Sequence, residues 1–152
     1  MKLASLKSGK DGQLVVVSRE LQWAIAVPEI ATSMLDAIER WEECKPKLEA
    51  VYQRLNEGMV SNAFEFDPRE AAAPLPRAPQ WCDGSAFLNH ANLMGVAFKI
   101  PPFEDQETIP MMYQGASDDL LGAHTDLSLP DEAHGIDFEG EFGVIVDEVA
   151  MG

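Results

Sequence analysis

The sequence that is most informative about the fold of the second half of this chain is Asp137-Phe138-Glu139-Gly140-Glu141-Phe142-Gly143-Val144-Ile145-Val146. Alternate residues of a β-strand share a face, so a strand here would project Asp137, Glu139 and Glu141 together. The apolar residues Phe142 to Val146 predict that this strand is buried. Neighbouring carboxylates repel one another, and a hard divalent cation held by oxygen ligands, Mg²⁺ or Ca²⁺, would relieve that repulsion. The alternative is the solvated face of an ordinary strand.

Charge is distributed unevenly along the chain. The 53 residues after Lys99 contain 13 acidic side chains and no lysine or arginine, whereas residues 1–99 contain 13 acids and all 11 bases. Most of the net charge of −15 therefore belongs to the last third of the chain. Such acidity argues against nucleic acid as a partner, because phosphates would be repelled.

Length and composition predict a globular protein of one or two domains. The chain has 152 residues, of which 46% are hydrophobic, and it contains no apolar run of the length that spans a membrane. The N-terminus lacks the apolar stretch of a signal peptide. Cys44 and Cys82 follow no motif spacing, which favours free thiols in a reducing compartment. These features predict a cytoplasmic protein.

The first half of the sequence alternates between strand and helix patterns. Strands are predicted at residues 2–7, 14–18 and 21–27, and Thr32 or Ser33 is placed to cap a helix that begins near Met34. Pro46 should start or kink a second helix, which Gly58 would end. The aromatic and methionine residues of this first half are interpreted as core.

The proline- and alanine-rich residues 67–80 predict a boundary or linker. Beyond it, residues 85–98 are interpreted as a helix, residues 111–113 as a short strand and residues 114–133 as loop. His124 and His134 lie in or beside this loop, where solvated imidazoles are expected. Because the chain ends just after an apolar strand pattern, we expect the second unit to be incomplete.

With Asp83, His90, Tyr113 and the pair Glu139 and Glu141 in this order and spacing, the chain resembles the fumarylacetoacetate hydrolase family. The resemblance covers most of the chain and is strongest from Pro76 to Gly152. It implies an α+β fold: a small N-terminal domain at residues 1–75, followed at residues 76–152 by the first part of a mixed β-roll catalytic domain, apparently truncated.

The resemblance also implies site residues. Asp83, in Trp-Cys-Asp-Gly-Ser, matches the first metal-binding aspartate. Glu139 and Glu141 match the Glu-x-Glu pair of metal ligands. His90 matches the histidine that activates water. Tyr113 matches a substrate-contacting tyrosine, and Lys99 matches a substrate-binding arginine. On one helix, a separation of seven positions would place the Asp83 and His90 side chains on one face, about 10 Å apart along the axis.

The function that the resemblance implies is metal-dependent hydrolysis of a carbon–carbon bond in a β-diketo acid, such as fumarylacetoacetate or an acylpyruvate. It further implies Mg²⁺ or Ca²⁺ as cofactor, a homodimer when full length, and a place in aromatic amino acid catabolism. Relatives decarboxylate, hydrate or tautomerise 2-oxo acids with a similar metal site, and the sequence does not choose between these reactions. A different class of function also fits, a non-catalytic folded fragment or assembly module.

Two residues depart from the family pattern, and both concern the substrate. Lys99 cannot reproduce the two-pronged hydrogen bonding of an arginine with a carboxylate. Ser85 stands where the hydrolase has a substrate-contacting tyrosine. A third metal-ligating aspartate, and the glutamate that orients the histidine, are expected after Gly152.

Overall fold

A four-stranded antiparallel sheet organises the first half of the computed structural model, which describes residues 1–101, 105, 107–116, 119–136 and 138–146. The strands are β1 (Lys2–Leu6), β2 (Gln13–Val17), β3 (Trp23–Ala26) and β4 (Phe64–Glu65), in the order β1-β2-β3-β4. The three predicted strands are confirmed within one or two residues at each end. The two-residue β4 was missed because so short a strand shows no alternation.

Two helices connect β3 to β4 and cover one face of this sheet. The first, α1 (Met34–Glu39), begins at Ser33, whose hydroxyl accepts a hydrogen bond from the Asp36 amide at 3.1 Å. The Asp36 carboxylate in turn accepts from the Thr32 amide at 2.9 Å, and this reciprocal pair resembles a capping box. The N-cap predicted at Thr32 or Ser33 is thereby confirmed as Ser33.

The second helix, α2 (Trp41–Asn56), contains Pro46 in its interior, so the first of the two predicted alternatives, that Pro46 starts this helix, is wrong. Pro46 is the sixth residue of this helix, so it removes one internal hydrogen bond, the one that an amide at this position would donate to the Glu42 carbonyl. The predicted stop at Gly58 is confirmed: this residue has φ of +71°, and its amide donates to the Leu55 carbonyl.

The core lies between the sheet and these helices. Side chains alternate along β2, so Leu14 and Val16 join the helix-facing cluster while Val15 and Val17 join a smaller cluster on the opposite face. From the helices, Leu48 contributes a side chain that is 0% exposed. Among the described residues, every buried side chain lies between Ser5 and Ala73.

The proline-rich residues after β4, interpreted from sequence as a boundary or linker, are bound to the edge of β1. A short 3-10 turn, Pro68–Glu70, leads into a bridge between Leu6 and Ala71. The Ala72 amide donates to the Ser5 carbonyl at 2.8 Å, and the buried Ser5 hydroxyl donates to the Pro74 carbonyl at 2.7 Å. We call residues 67–77 the connector; it is held as an added edge of the sheet.

In the part of the second half that the structure describes, there are two strands and one α-helix. Strands β5 (Cys82–Ser85) and β6 (Met111–Gln114) pair antiparallel, and helix α3 (Leu88–Phe98) lies between them in sequence. The predicted strand at 111–113 is confirmed, and the α+β class is confirmed for the chain. The mixed β-roll remains a prediction. Of the helices in the described residues, none combines the length and apolar character needed to span a bilayer.

Two predictions for this half are wrong. The helix begins at Leu88 rather than at residue 85, because Ser85 pairs with Met111 in β6. Residues 138–146 form no strand, and Phe142 is fully exposed. A strand requires a hydrogen-bonding neighbour, and no strand of the described residues pairs with residues 139–146. Asp137, predicted to share a strand face with Glu139 and Glu141, lies outside the described residues.

Candidate functional site

The β5–β6 ribbon places two predicted site residues opposite each other. Asp83 on β5 pairs in register with Tyr113 on β6. Residues directly opposite in an antiparallel pair project from the same face, with Cβ atoms about 4.5–5.5 Å apart. A candidate metal ligand and a candidate substrate contact therefore share one face of the ribbon, although they are 30 positions apart in sequence.

Tyr113 is positioned by Trp81, a residue that sequence reasoning did not single out. The two rings have centroids 5.7 Å apart and planes inclined at 56°, an arrangement typical of favourable aromatic pairs. The Trp81 indole N–H donates to the Ala116 carbonyl at 3.0 Å, and the Gly115 amide donates to the Trp81 carbonyl at 3.0 Å.

Gly115 is required by this arrangement. A Cβ atom at this position would overlap the indole ring of Trp81. The signal available in the sequence was a glycine two residues after a candidate site tyrosine, but only the fold shows which side chain fills the space.

Helix α3 brings His90 beside Glu139. The His90 Nε2 and Glu139 Oε1 atoms are 3.6 Å apart, and both side chains are about half exposed. This contact joins the candidate base to a candidate metal ligand 49 positions later. It is an ion pair only when the imidazole is protonated.

Asp83 belongs to β5 and His90 belongs to α3. The prediction that the two residues share one helical face is therefore wrong. The chain turns between them at Ala86 and Phe87, where the Ala86 amide donates to the Gly84 carbonyl at 2.7 Å. Any convergence of the two side chains thus depends on how strand and helix pack rather than on helical periodicity.

Lys99 ends α3 in the left-handed conformation, with φ of +57°, and its amide donates to the Gly95 carbonyl. Glycine or asparagine usually occupies such a position. The exposed Lys99 thus has a backbone role in ending the helix, besides the substrate contact that the resemblance implies for its ammonium group. His124 and His134 are exposed, as expected.

The predicted metal ligands, Asp83, Glu139 and Glu141, suit a hard divalent cation in their chemistry, since all three are carboxylates. Their arrangement does not suit one: within the described ranges, no group of three or more His, Cys, Asp or Glu residues is placed to share a metal ion. Neither Glu139 nor Glu141 lies in a strand. The assignment of these three ligands stays a prediction.

Comparison with known families covers both halves of the chain. The family described as fumarylacetoacetase N-terminal domain 2 matches residues 1–77. The family described as fumarylacetoacetate (FAA) hydrolase C-terminal matches residues 80–151. No curated protein matches the chain significantly.

The chain therefore belongs to the fumarylacetoacetate hydrolase family. This is a family of hydrolase- and lyase-type enzymes whose members generally use divalent metal ions. Membership thus supports the general class of chemistry and leaves the substrate, the individual metal and the assembly as proposals.

Proposed function

We propose that the full-length protein hydrolyses a carbon–carbon bond in a β-diketo acid such as an acylpyruvate or fumarylacetoacetate. The observation that supports this proposal most is the pairing of predicted site residues from separate segments. Asp83 faces Tyr113 across the ribbon, and His90 lies 3.6 Å from Glu139. The match of residues 80–151 to the C-terminal hydrolase family supports the same class of reaction.

In this proposal His90 is the general base. An imidazole titrates near neutrality, so it can remove a proton from water at physiological pH. The resulting hydroxide attacks one carbonyl carbon, and the adjacent carbon–carbon bond breaks. The electron pair of that bond leaves with the second carbonyl fragment as an enolate, which then takes up a proton. The products are a carboxylic acid and a ketone-bearing fragment.

Tyr113 and Lys99 are proposed to bind the substrate. Tyr113 offers a phenolic hydroxyl on a ring that Trp81 fixes in place. Lys99 offers a point charge to the substrate carboxylate rather than a planar pair of donors. Lys99 directly follows the last residue of α3, the helix that also carries His90.

We further propose that Asp83, Glu139 and Glu141 bind Mg²⁺ or Ca²⁺ in the full-length protein, and that this protein is a cytoplasmic homodimer. The carboxylate donor set and the usual metal use of the family support the cation. Because the described residues do not gather the three carboxylates, no step of the proposed reaction is assigned to the metal.

The role of His90 is tested by His90→Ala in the full-length protein. A general base contributes about 10²- to 10⁴-fold to turnover, so hydrolysis of an acylpyruvate should fall by that factor while metal affinity stays near normal. His134→Ala, which removes an exposed histidine in a separate 3-10 turn, serves as the control. Near-wild-type turnover in His90→Ala would assign the base to another group.

The metal ligands are tested by calorimetric titration of Mg²⁺ and Ca²⁺ into the full-length protein. Glu141→Ala should bind the preferred cation markedly more weakly than wild type, and Asp126→Ala, an exposed acid of the same acidic segment, should not. Equal affinity in wild type and Glu141→Ala would reject Glu141 as a ligand.

A further inference from the structure

A cavity of about 550 Å³ lies where the β1–β2 turn, the connector and residues 119–125 meet. The three segments are joined by hydrogen bonds: the Lys7 amide donates to the Glu70 carbonyl at 2.9 Å, and the Leu120 amide donates to the Pro76 carbonyl at 2.7 Å. Gly122 allows the close approach, because a Cβ there would sit 2.7 Å from the Ala71 carbonyl oxygen. The volume is in the range of ordinary small-molecule sites.

The lining of this cavity is basic in a strongly acidic protein. Lys7, Lys10 and Arg77 line it together with one acid, Asp119. Three of the 11 basic side chains thus converge on one cavity, whereas the chain as a whole carries −15. The lining therefore has a formal charge of +2, which becomes +1 when the Asp11 carboxylate bound to Arg77 is included, in a molecule that is strongly negative as a whole.

Two of the three cations are held in position. The Arg77 guanidinium donates through Nε and Nη2 to the Asp11 carboxylate at 2.7 to 3.0 Å, and this contact holds the pKa of Arg77 above its usual range. The Lys7 ammonium donates to the Arg69 carbonyl at 2.7 Å. An ammonium group has three N–H donors, so Lys7 keeps donor capacity for a ligand. Lys10 is exposed on the turn.

Apart from the hydroxyl group of Thr125, the remaining side chains of the walls are apolar. Ala72 and Pro76 of the connector line one side, and Leu120 and Leu121 line the other. Both leucines keep more than a third of their surface exposed. A ligand with an apolar portion would cover these side chains, whereas an inorganic anion would leave them in water. Asp119 also disfavours a compact, highly charged anion that would have to sit close to it.

We propose that this cavity binds a small organic monocarboxylate, with the carboxylate on Lys10 and Lys7 and the apolar chain against Leu120 and Leu121. The site is separate from the candidate catalytic residues, none of which lines the cavity. It lies between the segment matched to the N-terminal family and the segment matched to the hydrolase family. Occupancy would therefore strengthen the attachment of residues 119–125 to the connector.

The probe is hexanoate, titrated into the ¹⁵N-labelled chain and followed by the amide resonances of Gly9 and Gly122, which line the cavity. Lys10→Gln should weaken binding by about tenfold, because it removes a charged hydrogen-bond donor. Lys45→Gln, which removes an exposed lysine on α2, should bind hexanoate like wild type. His90→Ala should also bind normally, which separates this result from the test of catalysis.

Two further ligands define the chemical class. Hexanamide keeps the apolar chain without the charge, and inorganic phosphate keeps an anion without the chain, so both should bind at least about tenfold more weakly than hexanoate. Equal affinity of hexanoate for wild type and Lys10→Gln, equal binding of hexanamide or phosphate, or the absence of shifts at Gly9 and Gly122 would each overturn the proposal.

Discussion

Residues 1–77 and residues 80–146 of this chain are stabilised in different ways. The first region buries the inner faces of a sheet and two helices, and it contains every buried side chain among the described residues. The second contains the candidate chemistry, but its helix and both of its strands bury no residue. Because apolar burial is the dominant favourable term in folding, the stability of the described molecule resides in the first region and the candidate site in the second.

The comparison is tested most strongly by truncating one large apolar side chain in each region. Leu48→Ala removes a side chain that is 0% exposed and should lower the free energy of unfolding by about 2–5 kcal/mol. Phe142→Ala removes a larger side chain that is fully exposed and should change it by less than about 0.5 kcal/mol. Urea denaturation followed by far-UV circular dichroism measures both. A loss above 2 kcal/mol in Phe142→Ala would show that residues 138–146 are packed after all.

A smaller effect is expected at Gly115, where the second region does have a defined contact. Gly115→Ala places a methyl group into the Trp81 ring, and such overpacking costs about 1–3 kcal/mol locally. We expect faster hydrogen exchange at the Trp81 indole N–H, because its bond to the Ala116 carbonyl should break. Gly140→Ala, where a Cβ meets nothing within 4 Å, is the matched control. Unchanged exchange in Gly115→Ala would mean that the Trp81–Tyr113 pair is not fixed.

A lysine-to-glycine change should have opposite effects on stability in the two regions. Lys99→Gly relieves a left-handed residue at the end of α3 and should stabilise that helix by about 1 kcal/mol. Lys45→Gly places glycine inside α2 and should destabilise by about 0.5–1 kcal/mol. If Lys99 also binds substrate, Lys99→Gly raises KM in the full-length protein while it stabilises α3. A lower KM, or a less stable helix, would contradict these roles.

The smallest effect concerns two aspartates that each cap a 3-10 turn. The Arg69 guanidinium lowers the pKa of Asp67 to about 2. Because the pKa of an unfolded aspartate is about 3.9, the Asp67 contribution is present above about pH 4 and is lost as pH falls through about 2. Asp67→Asn should therefore lower the thermal midpoint slightly at pH 7 and not at pH 2.

Asp131 provides the control, because its carboxylate accepts from the Ala133 amide at 2.8 Å in the second region. Asp131→Asn should leave the thermal midpoint of the core unchanged at both pH values, since its turn lies in the second region, whereas the turn capped by Asp67 leads into the bridge between Ala71 and Leu6 of β1. Scanning calorimetry at the two pH values measures both variants. A pH-independent difference for Asp67→Asn would assign its effect to capping alone.

Local sequence patterns determined most of the first region. The alternation in Leu14 to Val17, the cap at Ser33 and the stop at Gly58 each depend on neighbouring residues, so three strands, the start of α1 and the end of α2 were predicted nearly at their observed positions. The sequence by itself also shows the uneven charge and the order of Asp83, His90 and Tyr113. These features led to a family that the comparisons confirm.

Tertiary structure alone decided which distant residues meet. No local pattern places Asp83 opposite Tyr113, Trp81 against the Tyr113 ring, or Arg77 on Asp11. It also decided that residues 139–146, whose alternation and apolar run predicted a buried strand, join no sheet among the described residues. Alternation states only which residues would share a face; a strand forms when another backbone supplies its hydrogen bonds, and that depends on how the whole chain packs.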